Sequence, residues 1–354
     1  MKPNKKEKGR GNARYRLQAD EVEIIREYRR IKEEAEFEGV NPNDVHSGWI
    51  KSKKSSLYFK NSGYKTQSLK EFKNDLVKDL QEYAPEFEKI KKPQVHEGHC
   101  LLISPADIHI GKLCKSFVTG EEYNKQTAVL RTLEGVQGCL EKSKGFNIDK
   151  IILIIGNDAM HIDTPNGSNK TTSGTVQDVD GMFYEHFHIA KRLYINIIES
   201  LLEFYPDIHI IYNSSNHDYL TGFCLSDVIA TYFKNNKNIT FDISLHHRKY
   251  YKWHNNLIGS THGHGAKWDL LPLLMADESK DWSSTKYRYM FTHHVHHKVG
   301  NKDLVGCTLE SFRSPSPADT WHSKMGYTSS NNQAIESFIF SKNNGQVARL
   351  THLF

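Results

Sequence analysis

From residue 99 onward the sequence predicts an α/β fold, and three observations carry that prediction. Short apolar runs alternate with amphipathic helical patterns, the signature of βαβ units. One run, Lys150-Ile-Ile-Leu-Ile-Ile-Gly156, is unbroken and mostly β-branched, as expected of a strand buried on both faces. Five of the runs end in Asp, Asn or His, at the place where open α/β sheets hold their ligands.

The predicted elements follow in order. Residues 1–16 are basic and read as disordered. Asp20 with Glu23 forms a capping box, and Val22, Ile25, Tyr28, Ile31 and Ala35 recur at helical spacing until Gly39. After a turn at Asn41-Pro42-Asn43, a second capping box, Ser68 with Glu71, opens a helix with Leu69, Phe72, Leu76, Leu80 and Tyr83 on one face. Residues 1–95 thus form a basic helical N-terminal region, and 86–98 read as a linker. The region suits a helix-turn-helix-like DNA-binding unit, a dimerisation arm or a brace.

A second domain spans 96–354. Strand 100–104 ends at Asp107-Ile-His109, and a helix follows with Leu130, Leu133, Val136 and Leu140 on one face. The unbroken apolar strand ends in Asn157-Asp158-Ala-Met-His161. A polar loop over 162–180 leads to a helix over 183–204 and a strand over 208–212, which ends in Asn213-Ser-Ser-Asn216-His217-Asp218. A helix over 226–234 and strands over 240–243 and 249–253 come next. Strand 257–260 ends at His262-Gly-His264, strand 287–292 ends in His293-His-Val-His-His297, and 334–352 read as a β-hairpin.

Composition narrows the function classes. No apolar run approaches the roughly 18 residues of a membrane span, and the charged N-terminus lacks the apolar segment of a secretory signal. The five cysteines are scattered and form no Cys-x-x-Cys pair, so reduced thiols in a cytoplasmic protein are expected. Net charge is +5, with the excess concentrated in residues 1–95. There Lys51, Lys53, Lys54, Lys60 and Lys65 interleave with Trp49, Tyr58, Phe59 and Tyr64. Basic groups mixed with stacking groups suit a phosphate backbone and unstacked bases, although such a run is as often a solvated face.

The strand ends carry the chemistry. A lone histidine there is usually structural. Five ends each supplying Asp, Asn or His are hard to explain as packing, because unpaired buried titratable groups are costly and a cation offsets that cost. Imidazole, carboxylate and amide oxygen without thiolate suit Mn²⁺, Fe²⁺, Zn²⁺ or Mg²⁺. Seven candidate ligands suffice for two ions sharing a carboxylate.

The order Asp-x-His, Gly-(Asn)-Asp, Asn-His-Asp, His, His-x-His resembles the calcineurin-like metallophosphoesterases over about residues 100–300. Asp158-Ala-Met-His161 is similar to the Asp-x-x-His of SbcD-type DNA-repair nucleases. The Thr171-Thr-Ser-Gly-Thr175 loop with Gln177-Asp-Val-Asp180 is similar to phage and bacterial metallophosphoesterases. Three positions depart from the family: Asn157 is inserted between Gly and Asp, and Ser215 and His293 each replace a glycine.

The resemblance implies a four-layer α-β-β-α sandwich. It also implies that Asp107, His109 and His296 hold one metal, that Asn216, His262 and His294 hold the other, and that Asp158 bridges. Mn²⁺ is the expected ion. His217 would protonate the leaving oxygen, Asp218 would orient His217, and His161 would contact the scissile phosphate. The implied activity is phosphodiester hydrolysis on nucleic acid, as a DNA exo- or endonuclease, with DNA as partner, no membrane and a homodimer as one assembly. The alternatives are a metallophosphatase or phosphodiesterase for a small nucleotide or phosphomonoester, and a non-catalytic DNA-binding scaffold, whose mark would be missing ligands.

Overall fold

The computed structural model describes residues 47–51, 56–60, 78 and 98–354, apart from 165–167, 206, 299–300, 305 and 321–331. The chain divides into two compact units, residues 1–79 and 80–354. In the first, β1 (Ser47–Lys51) and β2 (Ser56–Lys60) pair antiparallel, with Ser47 opposite Lys60 and Lys51 opposite Ser56. These strands were not predicted, although Trp, Ile, Tyr and Phe are strand formers. The basic tail, the helix after Asp20 and the helix after Ser68 lie outside the described residues, save Lys78, which is helical.

The second unit runs β3 (His99–Ser104), α1 (Ser116–Thr119), α2 (Lys125–Ser143), β4 (Ile148–Gly156), α3 (Phe183–Leu202), β5 (Ile208–Asn213) and α4 (Tyr219–Tyr232). Then come β6 (Ile239–Asp242), β7 (Lys249–Trp253), β8 (Asn256–Thr261), α5 (Leu271–Glu278) and β9 (Tyr287–Thr292). It closes with β10 (Asn301–Leu304), β11 (Cys307–Ser311), β12 (Ala334–Ser341) and β13 (Gly345–Leu353).

Two mixed sheets form. The six-stranded sheet has the order β13-β12-β3-β4-β5-β6, parallel from β3 to β6, with the terminal hairpin antiparallel at one edge. The five-stranded sheet has the order β10-β11-β9-β8-β7, parallel over β11, β9 and β8. Leu102, Ile152, Ile154, Ile211, Phe338 and Phe340 of the first pack against Ile258, Tyr289 and Phe291 of the second. Phe291 lies 4.8 Å from Phe338 and 5.4 Å from Phe312 between their ring centres. Helices α2, α3 and α4 cover the outer side of the six-stranded sheet. Leu271 and Met275 of α5 cover the outer side of the five-stranded one, against Leu257, Met290 and Leu309. The result is an α/β sandwich of four layers. β4 sits between β3 and β5, and its residues from Lys150 onward are buried, as its unbroken apolar run requires.

Several boundaries differ from expectation, each for a physical reason. The predicted face of α2 was Leu130, Leu133, Val136 and Leu140. Val136 and Leu140 are buried as expected, but Leu130 is 66% exposed and Leu133 37%, and Ala128, Thr132, Gly135 and Cys139 complete the buried face in their place. Small residues there let the helix sit close on β12 and β13; a Cβ on Gly135 would come within 2.8 Å of the Ile335 Cβ. Helix α4 starts at Tyr219, directly after the Asn216-His217-Asp218 motif, rather than at 226, because Thr172 and Asp163 accept its first N–H groups. Helix α5 and strands β10 and β11 were not predicted. No helix among the described residues is long and apolar enough to cross a membrane. All five cysteines are free thiols.

Candidate metal centre

Parallel strands β3, β4 and β5 in one sheet and β8 and β9 in the other deliver their carboxyl ends to one place. The chain then turns sharply. Asp107, His109, Asn157, Asp158, His294 and His296 all have φ between 47° and 71°, and they are six of the eight non-glycine residues with positive φ among those described. Asp, Asn and His tolerate this left-handed region better than bulkier residues, yet each costs about 1–3 kcal/mol. Gly156, at φ 82°, is required outright, since a Cβ would meet the Asn213 carbonyl at 2.4 Å.

Beneath these turns, buried hydrogen bonds tie the two sheets together. Ser260 Oγ donates to Asn213 Oδ1 (2.8 Å), and Asn213 Nδ2 donates to the Ser260 carbonyl (3.3 Å). His293 Nδ1 donates to the Thr261 carbonyl (3.1 Å), which leaves Nε2 to accept from Ser104 Oγ (2.8 Å), and the ring stacks on Phe312. Both ring nitrogens are committed, so His293 is a core residue. Ser314 donates to the Asp107 carbonyl through Oγ (2.7 Å) and to the His296 carbonyl through its N–H (3.2 Å), joining the loops after β3 and β9.

Above this floor, Asp107, His109 and His296 form one group and Asp158, His262 and His294 a second, with the candidate ligand atoms of each within 4.8 Å of one another. His109 Nε2 is 3.0 Å from His296 Nε2. His262 Nε2 is 2.8 Å from Asn216 Oδ1 and 3.1 Å from Asp158 Oδ2, which brings Asn216 into the second group. His109, His161 and His217 make a third group. The His161 and His217 rings stack at 5.2 Å and 20°, with His161 Nδ1 3.3 Å from His109 Nδ1. The structure thus brings Asp107, His109, Asp158, His161, Asn216, His217, His262, His294 and His296 together.

Burial dominates the electrostatics. It pushes Asp107 up to about 7, assisted by the neighbouring Asp158 and opposed by His262. It would raise Asp158 as well, but His262 and His217 outweigh it and hold that carboxyl well below its usual range. Burial also lowers His109 and His161 well below the ordinary imidazole value. His262 goes the other way, because Asp158 overcomes the effect of burial.

The expected role of Asp218 is not met. Its Oδ1 accepts from Ser215 Oγ (2.5 Å) and its Oδ2 from the Met160 N–H (2.9 Å), so it braces the two turns. His217 Nδ1 instead donates to the His161 carbonyl (2.9 Å), and the His217 N–H donates to Asp158 Oδ1 (2.9 Å). Ser215 is also the acceptor for the Asp158 N–H (2.8 Å), which gives the family departure at this position a use that glycine could not supply. Asn157 is fully buried, and its carbonyl accepts from the Asp107 N–H (2.7 Å). Sequence reasoning missed Ser104, Ser314 and Asp163 (below), since isolated serines and a loop aspartate carry no spacing signal. It also missed Lys112, wholly buried, whose Nζ donates to the Pro317 carbonyl (2.6 Å).

A divalent cation fits these residues. Asp107 Oδ1 and Asp158 Oδ2 are buried with no hydrogen-bond donor among the described residues other than ion-pair contacts within the site, Asp107 Oδ1 with His296 Nε2 at 3.6 Å and Asp158 Oδ2 with His262 Nε2 at 3.1 Å. Two carboxylates and several imidazoles crowded out of water need positive charge to share. The sandwich of two mixed sheets between helices, with these paired Asp/His groups at its strand ends, matches the calcineurin-like metallophosphoesterase fold, a fold of metal-dependent hydrolases.

No protein-family model and no curated protein sequence matches the chain. Among solved structures it is similar to a single-site variant of Vps29 from Entamoeba histolytica, at 11% identity and a TM-score of 0.28, over 72% of this chain and 99% of that one. It is similar to Chaetomium thermophilum Vps29 at 11% identity and a TM-score of 0.30, over 73% and 95% of the two chains. Likenesses this weak carry no argument, and the fold assignment rests on the sheets and the clusters themselves.

Proposed function

We propose that the protein is a calcineurin-like metallophosphoesterase that hydrolyses phosphodiester bonds of nucleic acid with two divalent ions, as a DNA exo- or endonuclease. The observation that carries this reading is the pair of Asp/His groups with Asp158 beside both His262 and the His217 N–H. Asp107, His109 and His296 would hold one ion, Asn216, His262 and His294 the other, and Asp158 both. Bound there, such ions supply Lewis-acid polarisation and neutralise charge on phosphoryl oxygens.

The chain's own residues supply the rest. His217 has its Nδ1–H committed to the His161 carbonyl, so Nε2 is the atom left to deliver a proton to a leaving oxygen. His161, stacked on that ring, is the candidate contact for the phosphate. The preference for DNA is supported by the Asp158-x-x-His161 spacing and by the basic-aromatic run around β1 and β2. Dimerisation through residues 1–95 belongs to the same reading.

The test is cleavage of labelled single- and double-stranded DNA by the purified full chain with Mn²⁺. Cleavage should require the metal and fall at least about 100-fold in His217→Ala. No cleavage by the wild-type protein, or equal cleavage by the variant, would reject the reading. Preference for a small nucleotide or phosphomonoester over DNA would assign the alternative substrate class.

A further inference from the structure

His161 follows β4 and His217 follows β5, so something must hold one segment against the other. The start of α4 shows what does. Asp218 sits at the N-cap position, yet its carboxylate is turned inward to Ser215 and Met160. The first N–H groups of the helix therefore need other acceptors. Tyr219 N–H donates to Thr172 Oγ (3.0 Å), Leu220 N–H to Asp163 Oδ2 (3.2 Å) and Thr221 N–H to Asp163 Oδ1 (2.9 Å). Thr172 Oγ donates onward to Asp163 Oδ2, and Thr221 Oγ to Asp163 Oδ1, both at 2.8 Å. One carboxylate thus accepts four hydrogen bonds at the positive end of a 14-residue helix.

We propose that Asp163 is the positioning residue of the His161–His217 pair. It caps α4 in place of Asp218, and because it lies two residues beyond His161 it clamps the segment carrying His161 onto the segment carrying His217. The clamp keeps the His161 carbonyl within reach of His217 Nδ1–H, which fixes the tautomer and leaves Nε2 free to exchange a proton. Thr172 ties the loop over 162–180 into the same clamp. The consequence for hydrolysis rests on the proposed function; the consequence for the His217 ring does not.

Two readouts on the full-length chain test this. The first is ring ¹⁵N NMR of metal-free protein, with the His217 signals identified by their loss in His217→Gln. Wild type should show a single Nδ1–H tautomer for His217, and Asp163→Ala a mixture of Nδ1–H and Nε2–H. The second is hydrolysis of bis(p-nitrophenyl) phosphate with Mn²⁺. Asp163→Ala should lower kcat about 100-fold, the effect of roughly 1 Å of misplacement, with KM within about twofold and metal stoichiometry unchanged. Asp163→Asn, which keeps Oδ1 for Thr221, should recover about tenfold of that loss. If Asp163→Ala does not fold, Thr172→Val removes the Tyr219 acceptor and one donor to Asp163, and should shift the tautomer in the same direction. An unchanged His217 tautomer in a folded Asp163 or Thr172 variant would overturn the proposal, as would a kcat loss explained by lost metal. Absence of diester hydrolysis by wild type would overturn the proposed function alone, and the tautomer comparison would still decide the role of Asp163.

Discussion

His293→Ala separates a histidine that holds the fold together from neighbours placed to hold metal. The ring is 1% exposed and lies face-on to Phe312 with 5.0 Å between centres. Truncating a buried ring costs about 3–5 kcal/mol in transfer and cavity terms. The Ser104 hydroxyl and Thr261 carbonyl would each lose a buried partner, worth about 1–3 kcal/mol before water enters the cavity. With water in the cavity satisfying those two groups, a net loss of about 4 kcal/mol remains, a large fraction of the 5–15 kcal/mol typical of a domain. Urea denaturation of metal-free protein should show the midpoint falling with an unchanged slope. Metal analysis of the folded variant should find the same stoichiometry as wild type. His294→Ala and His296→Ala should do the opposite, with less metal and a stability change under about 1 kcal/mol. A loss below about 1 kcal/mol for His293→Ala, or metal loss from its folded form, would refute the assignment of His293 to the core.

Three further outcomes are expected. Gly135→Ala should destabilise by about 1–3 kcal/mol, because the new methyl meets the Ile335 side chain between 2.7 and 2.9 Å, and the gain in helix propensity of about 1 kcal/mol does not offset it; thermal unfolding reads this directly. His209 is held down to about 4, chiefly by burial and then by Lys150, while its Nδ1 is 2.8 Å from Thr240 Oγ. The folded state resists protonation, so its contribution is complete above the unfolded value near 6.5 and is lost as pH falls from there toward 4. His209→Gln should flatten that part of the stability–pH profile by on the order of 2 kcal/mol relative to wild type. Glu336→Gln should cost about 2–3 kcal/mol, since the buried carboxylate pairs with Arg313 Nη1 at 2.9 Å and with Arg349; Arg313 would lose its charged partner, while Arg349 would keep Glu310 Oε1 at 2.9 Å; chemical denaturation at neutral pH measures it.

Much of the candidate metal centre was legible because strand ends are written locally. An apolar run broken by Gly or Asn and followed by Asp or His announces both the end of a strand and the side chain presented there, and the left-handed backbone at Asp107, Asp158 and His296 favours just those residue types. What could not be read is who partners whom across distant segments. Asp218 follows His217 directly, which made it the natural orienting carboxylate, yet it turns inward toward Ser215 and Met160 and His161 provides the carbonyl. Leu130 and Leu133 fitted a helical stripe, but packing against β12 and β13 favours the small residues on the neighbouring face.

By itself the sequence determined the α/β alternation, the buried central strand and the residue types gathered at the strand ends, because periodicity and turn chemistry act over a few residues. Only the tertiary structure decided that His293 belongs to the core, with both ring nitrogens committed to Thr261 and Ser104. Only it showed that Ser314 links the loops after β3 and β9, and that Asp163 rather than Asp218 caps α4. Hydrogen bonds between groups tens or hundreds of residues apart depend on how two sheets meet, and no local pattern encodes that meeting.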